Sequence, residues 1–396
     1  MGVPRSFGPA HGFVATGLPP KLGMNLLFIH QNFPGQYPHL ARALRDRGNR
    51  VAALGGPTAR PVPGIPLHRY DPMPSAGIPP CHPWAADLQT KCLRAEAVAV
   101  LLEALLRNGY KADLVIGHPG WGELLGIKDL LPHVPVLHQV EFVYQLDGAD
   151  LGFDSEWGSP NWRERTRLRL RRAPQLLAFH DLDWGLAPTR WQASTAPEPF
   201  QQRMSVIHEG IDTDQIAPRA GAEIKLQKAG LRFHPGDEVV SFVARQLESY
   251  RGFHRFMRML PHLQRLRPQA HVVLVGGDGV SYGSSPAGGG SWREVMLQEL
   301  DGQVDREKIH FVGQVPHPVL HDLFRVCACH VYLTVPFVLS WSLLEAMACE
   351  TVVVGSATPP VQEVIQHGQN GLLVNYFDTE ALAETVAAVL ADPAAH

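Results

Sequence analysis

Cysteine is scarce in this chain: Cys81, Cys92, Cys327, Cys329 and Cys349 form an odd set without a Cys-x-x-Cys pair. That disfavours zinc ribbons and disulfide frameworks, so reduced thiols in a cytoplasmic protein are expected. Long apolar runs are missing as well. The longest, around residues 97–106, is interrupted by Glu103 and falls far short of a membrane span. Neither sign of charge is in surplus, since 35 Lys+Arg against 38 Asp+Glu leave −3 and no global pull toward nucleic acid or anionic membrane. Only 18% of residues are charged and 45% are hydrophobic, which excludes a disordered or coiled-coil chain. No short-period repeat is present, so solenoids are excluded. Residues 1–23 contain Arg5 but are broken by Gly and Pro, with no apolar core of signal-peptide length. A disordered leader over 1–23, with the fold beginning at Met24, is the expectation.

What is present is an alternation of short apolar runs and amphipathic stretches, in a chain of 396 residues long enough for two or three domains. Residues 25–30 (NLLFIH) read as a buried strand, 37–47 as a helix and 51–54 as the next strand. Residues 57–83, rich in Pro and Gly, read as a long loop. A helix over 91–106 and strands over 114–117 and 134–139 follow. The rhythm restarts after the proline-containing stretch 188–199. Strands fit at 239–243, 271–275, 309–312, 331–333 and 351–354, and helices at 253–266, 291–300, 320–326, 342–349 and 380–390. Continuous apolar strands alternating with helices imply parallel sheets covered on both faces. The reading is an α/β fold of two Rossmann-like parallel-sheet domains, 24–200 and 201–396. In such folds ligands sit at the carboxyl ends of strands, so a shared ligand is expected in the cleft between the domains.

Several segments can carry chemistry. The first strand empties into HQNFPGQ, where Gly35 permits a tight turn or close approach of backbone N–H groups to an anion. The run HVVLVGGDG lacks the GxGxxG spacing and opens into a loop, which argues against a dinucleotide site. Arg245 and Arg251 stand near a strand end and a helix start, suiting a diphosphate if they are not simply solvated. In VPFVLSWSLLEAMACE, Ser340 can cap a helix, and Glu345 in apolar company needs a partner, either sugar hydroxyls or a salt bridge.

In order, NLLFIHQNFPG, RGNRV, ADLVIGH, APTRWQ, IHEGIDTDQIAP, FVARQLESYRG, VLVGGDG, IHFVGQVP, LEAMACETVVV and EVIQHGQNGLLV resemble a family 4 retaining glycosyltransferase with the GT-B fold. The likeness runs from about Met24 to Pro393. It implies a UDP- or GDP-linked nucleotide-sugar donor held mainly by the second domain, with no further cofactor and no metal. A sugar, lipid-linked or small-molecule acceptor would be held mainly by the first domain. By resemblance, Gly35 faces the donor phosphate, Arg245 and Arg251 bind the diphosphate, and Glu345 holds the ribose hydroxyls. His118 falls near the transferred sugar, backbone around Val315 frames the base, and Phe337, Val338, Leu339 and Ser340 frame the sugar or phosphate.

Three departures accompany the likeness. Phe337 replaces the first Glu of the family's Glu-x7-Glu motif, and the Arg245–Arg251 gap is one residue longer than the commonest spacing. The stop at His396 falls where the family adds a returning helix, so a trimmed terminus or a less restrained hinge is expected. A nucleotide-sugar epimerase or a catalytically silent binding subunit are the alternatives. Other signals receive plainer readings. The triplets at Asp181 and Asp183 and at Asp212 and Asp214 read as turns. His317 and His321, spaced i,i+4, lack a third ligand in the sequence and are assigned no metal. Six arginines from Arg163 to Arg172 spread around a helix. They offer at most a weak peripheral contact with the inner face of a membrane.

Overall fold

The computed structural model describes residues 23–73, 77 and 80–395, so the expected leader, Gly23 apart, lies outside the described residues. The first half builds a seven-stranded sheet in which every pairing is parallel, in the order β3-β2-β1-β4-β5-β6-β7. Its strands are β1 (Asn25–Ile29), β2 (Arg50–Gly55), β3 (Leu67–Arg69), β4 (Leu114–Gly117), β5 (Val136–Gln139), β6 (Trp184–Ala187) and β7 (Met204–Val206). The helices are α1 (Pro38–Asp46), α2 (Ala86–Arg107), α3 (Ile127–Leu130), α4 (Trp162–His180), α5 (Arg190–Ser194) and α6 (Glu198–Gln201). Leu27, Ile29 and Leu54 face α2 through Val98 and Leu102, while Phe28 and Ala53 pack on Tyr37 and Ala41 on the other side. Burial of both faces is why these strands read as unbroken apolar runs.

A small antiparallel hairpin of β8 (Ile224–Leu226) and β9 (Leu231–Phe233) precedes the second sheet. That sheet is also parallel throughout, ordered β12-β11-β10-β13-β14-β15. Its strands are β10 (Val239–Gln246), β11 (His271–Gly277), β12 (Ile309–Gly313), β13 (Cys329–Tyr332), β14 (Val352–Ser356) and β15 (Leu372–Val374). Around them lie α7 (Phe253–Leu266), α8 (Trp292–Glu299), α9 (His317–Val326), α10 (Trp341–Ala348), α11 (Pro359–Gln362) and α12 (Thr379–Ala391). This is the two-sheet α/β architecture expected. β7 joins the first sheet although it lies just beyond residue 200, so the chain passes between the sheets in the stretch 207–222.

In each sheet the strand order reverses at one strand: β1 sits between β2 and β4, and β10 between β11 and β13. Loops leaving the carboxyl ends of β1, β4, β5, β10 and β13 therefore converge between the two sheets. The segment after β5 crosses to the second half. Asp154 bonds His254 at 3.0 Å and Arg255 at 2.8 Å, Glu156 pairs with Arg258, and Trp157 packs on Trp292. No helix among the described residues is long and apolar enough to cross a membrane.

Candidate active site

A cavity of about 430 Å³ lies between the halves, lined from one side by His30, Gly35, Gln36, Trp121 and Glu141. From the other side it is lined by Arg245, Glu248, Arg251, Tyr282 and residues 338–341. Arg251 is buried, yet among the described residues it forms no ion pair. Its Nη1 donates instead to the Val338 carbonyl at 2.8 Å and to the Thr334 and Tyr332 hydroxyls at 3.2 and 3.3 Å. Arg245 is exposed at the carboxyl end of β10 and likewise has no carboxylate partner among the described residues. A buried, unneutralised guanidinium is costly, so this site is built for an anion. Ser340 caps α10, accepting from the Ser342 N–H, and the start of that helix opens on the same cavity. Oriented helix amides favour negative charge there.

His30 and Gly35 form the opposite lip. The His30 Nδ1 accepts the Asn32 N–H, so a neutral ring carries its proton on Nε2, which is buried on the side of Gln36 and forms no hydrogen bond among the described residues. Burial, with the nearby His118, pushes the His30 pKa down to about 4 and keeps the ring a neutral donor. Gly35 has φ +51°, and a Cβ there would lie 2.5 Å from the His30 ring. Glycine is thus required both by the turn and by the histidine.

A smaller cavity of about 50 Å³ adjoins the first and shares Trp121, Glu141, Tyr282 and Val338 with it. His118 lies here, its Nδ1 accepting the Gly120 N–H and its Nε2 facing Glu141 at 3.5 Å. Burial raises the Glu141 carboxyl, but His118 and Gln36 outweigh it and hold it below the usual range. The far wall carries Lys91 and Arg171. Lys91 is buried, pairs with the half-exposed Asp87 at 2.6 Å and also donates to the Arg171 carbonyl. The Arg171 guanidinium stacks on Tyr144 at 4.2 Å and makes no ion pair among the described residues.

The structure thus gathers Gly35, Arg245, Arg251, Val338, Leu339 and Ser340 on one cavity and His118 on the next. Phe337 lies on the second cavity and not the first, in an aromatic cluster spanning both halves. Its ring is 4.8 Å from Phe142, 4.9 Å from Tyr282 and 5.4 Å from Tyr250. Val315 lines a separate apolar cavity of about 300 Å³ beside the β8–β9 hairpin. Its neighbour Gln314 reaches the Arg245 carbonyl at 3.4 Å. Glu345 is outside both linings, buried on α10 against α9. Sequence reasoning passed over His30, Glu141, Lys91, Arg171 and Glu248. For His30 and Glu141 the available signal was a polar residue just past a buried strand of a parallel sheet.

The two aspartate triplets prove to be structural. Asp183 pairs with Lys128 and accepts the Val136 N–H, and Asp212 holds Gln215 in a turn. The arginines of α4 divide their roles: Arg165 pairs with Asp147, Arg163 stacks on Trp162, and Arg171 turns into the second cavity.

Comparison with known proteins agrees with this geometry. Residues 47–216 match the glycosyl transferase family 4 group and residues 224–396 match glycosyl transferases group 1. A D-inositol 3-phosphate glycosyltransferase of Kribbella flavida is 26% identical over 372 residues, covering 89% of this chain and 81% of the relative. The α-maltose-1-phosphate synthase of Mycolicibacterium smegmatis is 28% identical over 313 residues, 76% of each chain. Among solved structures, a sucrose-phosphate synthase from Thermosynechococcus elongatus superposes with a TM-score of 0.68 at 20% identity, covering 94% of this chain and 91% of that one. Anabaena HepE in complex with UDP and glucose gives 0.62 at 18%, covering 93% and 90%. With the two glycosyltransferase models side by side over 47–216 and 224–396, and the GT-B architecture shared with the solved structures, the chain is a family-4-like glycosyltransferase.

Proposed function

We propose that the protein moves a sugar, with retention and without a metal ion, from a UDP- or GDP-linked donor in the larger cavity to an acceptor whose hydroxyl is presented at the smaller one. The observation that carries this reading is Arg251, a buried cation with no carboxylate partner among the described residues, facing the start of α10. A departing nucleoside diphosphate gains negative charge as the glycosidic bond breaks. Arg251, Arg245, the α10 amides and the His30 Nε2–H supply preorganised positive potential where that charge develops. This replaces the charge compensation that a divalent ion would otherwise provide.

Retention follows if the acceptor hydroxyl attacks from the face the diphosphate leaves, its proton passing to a departing phosphate oxygen. The shared wall of the two cavities suits that approach, since acceptor and leaving group meet at Glu141 and Tyr282. His118 then hydrogen-bonds the transferred sugar, while Glu141 orients the His118 ring. Glu345 lies outside the cavity lining against His317 and His321, and is assigned to the ribose hydroxyls by the family resemblance alone. Lys91 and Arg171 suit an acceptor bearing a phosphate, in keeping with the phosphorylated compounds in the names of the two relatives.

The test begins with thermal-shift measurements against UDP, GDP and ADP, followed by turnover with the matching nucleotide sugars. Arg245→Ala and Arg251→Lys are each expected to lower turnover by roughly 100- to 1000-fold. Near wild-type turnover in both variants, with every donor tried, overturns the diphosphate assignment.

A further inference from the structure

The i,i+4 pair His317 and His321 has in space the third ligand that the sequence did not offer. Both histidines lie in the first turns of α9, so their rings project from one face, 5.9 Å apart. Glu345, on the facing helix α10, brings its Oε1 to 3.6 Å from the His321 Nε2 and 3.9 Å from the His317 Nδ1. The three ligand atoms all lie within 4.8 Å of one another. A tetrahedral zinc with bonds of about 2.0–2.2 Å holds its ligands about 3.4 Å apart, so rotation of the exposed His317 ring is enough to close the set.

None of the three is otherwise engaged. The Glu345 side chain is 7% exposed, and no hydrogen bond reaches its carboxylate among the described residues. The His321 Nε2 is buried and forms no hydrogen bond among the described residues. The other cluster of similar composition, Asp154, Glu156 and His254, differs because Arg255 and Arg258 already neutralise it.

We infer that His317, His321 and Glu345 form a binding site for a borderline transition-metal ion of the zinc, nickel or cobalt class. Two imidazoles and one carboxylate suit these ions rather than magnesium or calcium. A three-ligand set leaves a fourth position open toward solvent on the side of His317, which is 75% exposed. A metal held by Oε1 withdraws charge from the one carboxylate assigned to the ribose, so metal and nucleotide compete for Glu345 and each opposes the other. This second half of the inference rests on the ribose role proposed for Glu345; the first half does not.

The experiment titrates the full-length protein with Co²⁺, reading the visible d–d bands of a four- or five-coordinate site, and repeats the titration with UDP present. One site is expected in the wild type that weakens at least tenfold in His317→Ala and in His321→Ala. Both variants should retain UDP binding, whereas Glu345→Gln loses both ligands. UDP should weaken cobalt and cobalt should weaken UDP by the same factor, as linkage requires. Unchanged cobalt spectra in both histidine variants overturn the metal site. Simultaneous, independent binding of cobalt and UDP overturns the competition. Failure of UDP, GDP and ADP alike to bind overturns the nucleotide reading, and the cobalt bands still report on the three ligands.

Discussion

Arg251 and Glu345 are opposite charges buried in the same half of the molecule, and neither uses the other. Arg251 spends its hydrogen bonds on two hydroxyls and a carbonyl, which fix the guanidinium but leave its charge uncompensated. Glu141 is the reverse case, a carboxylate kept ionised by the histidine and amide that face it. If Glu141 acts by orienting His118, Glu141→Gln should lower kcat at least tenfold while leaving the donor KM within about twofold. A kcat/KM analysis with varied donor checks this, and a proportional rise in KM contradicts it. Gly35→Ala places a methyl against the His30 ring in a left-handed turn. It is expected to cost about 1–3 kcal/mol and to lower Tm by several degrees, with UDP stabilisation also lost. Among these residues, Gly35, Arg245 and Arg251 were legible because each stood in a segment whose chemistry fits a strand-to-helix turn. Glu141 was not, because it lies in an otherwise apolar run (VEFVY) that suggests only core.

Several helices and central strands were legible almost residue by residue: the helix expected over 253–266 is α7, and the strand over 114–117 is β4, whereas α2 begins five residues before the expected 91 and β6 was not read. Long periodic or unbroken apolar runs carry their own signal. The three-residue strands β3, β7 and β15 carry none, since they are set by pairing to an existing neighbour rather than by their own pattern. The start of α9 was expected at 320, beyond Pro318. Proline at the second helical position costs no hydrogen bond, and the helix begins at His317. The glycine-rich stretch after β11 is organised by one buried carboxylate, Glu248, which accepts the N–H groups of Ser281, Tyr282 and Gly283. That contact sets Tyr282 on the wall shared by both cavities. Glu248→Gln is expected to weaken these charge-assisted bonds by about 1–3 kcal/mol. Limited proteolysis should then cut this loop faster, and the donor KM should rise; an unchanged cleavage rate contradicts the role given to Glu248.

At the scale of the molecule, the halves are joined by more than the covalent crossover. The segment after β5 clamps onto α7 through Asp154 and Glu156. Nothing local in that segment announces its partners, which lie about a hundred residues away. Burial pushes the Asp154 pKa up, but hydrogen bonds from His254 and Arg255 prevail and bring it to about 2. Its folded pKa is thus below the unfolded value, so its stabilisation is present above pH 4 and is lost as pH falls from 4 toward 2. The loss amounts to about 2 kcal/mol. Asp154→Asn should remove this acid-dependent component, flattening the pH dependence of Tm between pH 4 and 2, as calorimetry can read.

A second clamp works differently. The Glu363 carboxylate, from the second half, accepts the N–H groups of Arg190 and Trp191 at the start of α5 in the first, at 2.6 and 2.8 Å. Swinging the halves apart therefore strips Glu363 from the first turn of α5 and leaves it only the Thr189 cap. Solvent exchange at the Arg190 and Trp191 amides then becomes a clock for the parting of the halves.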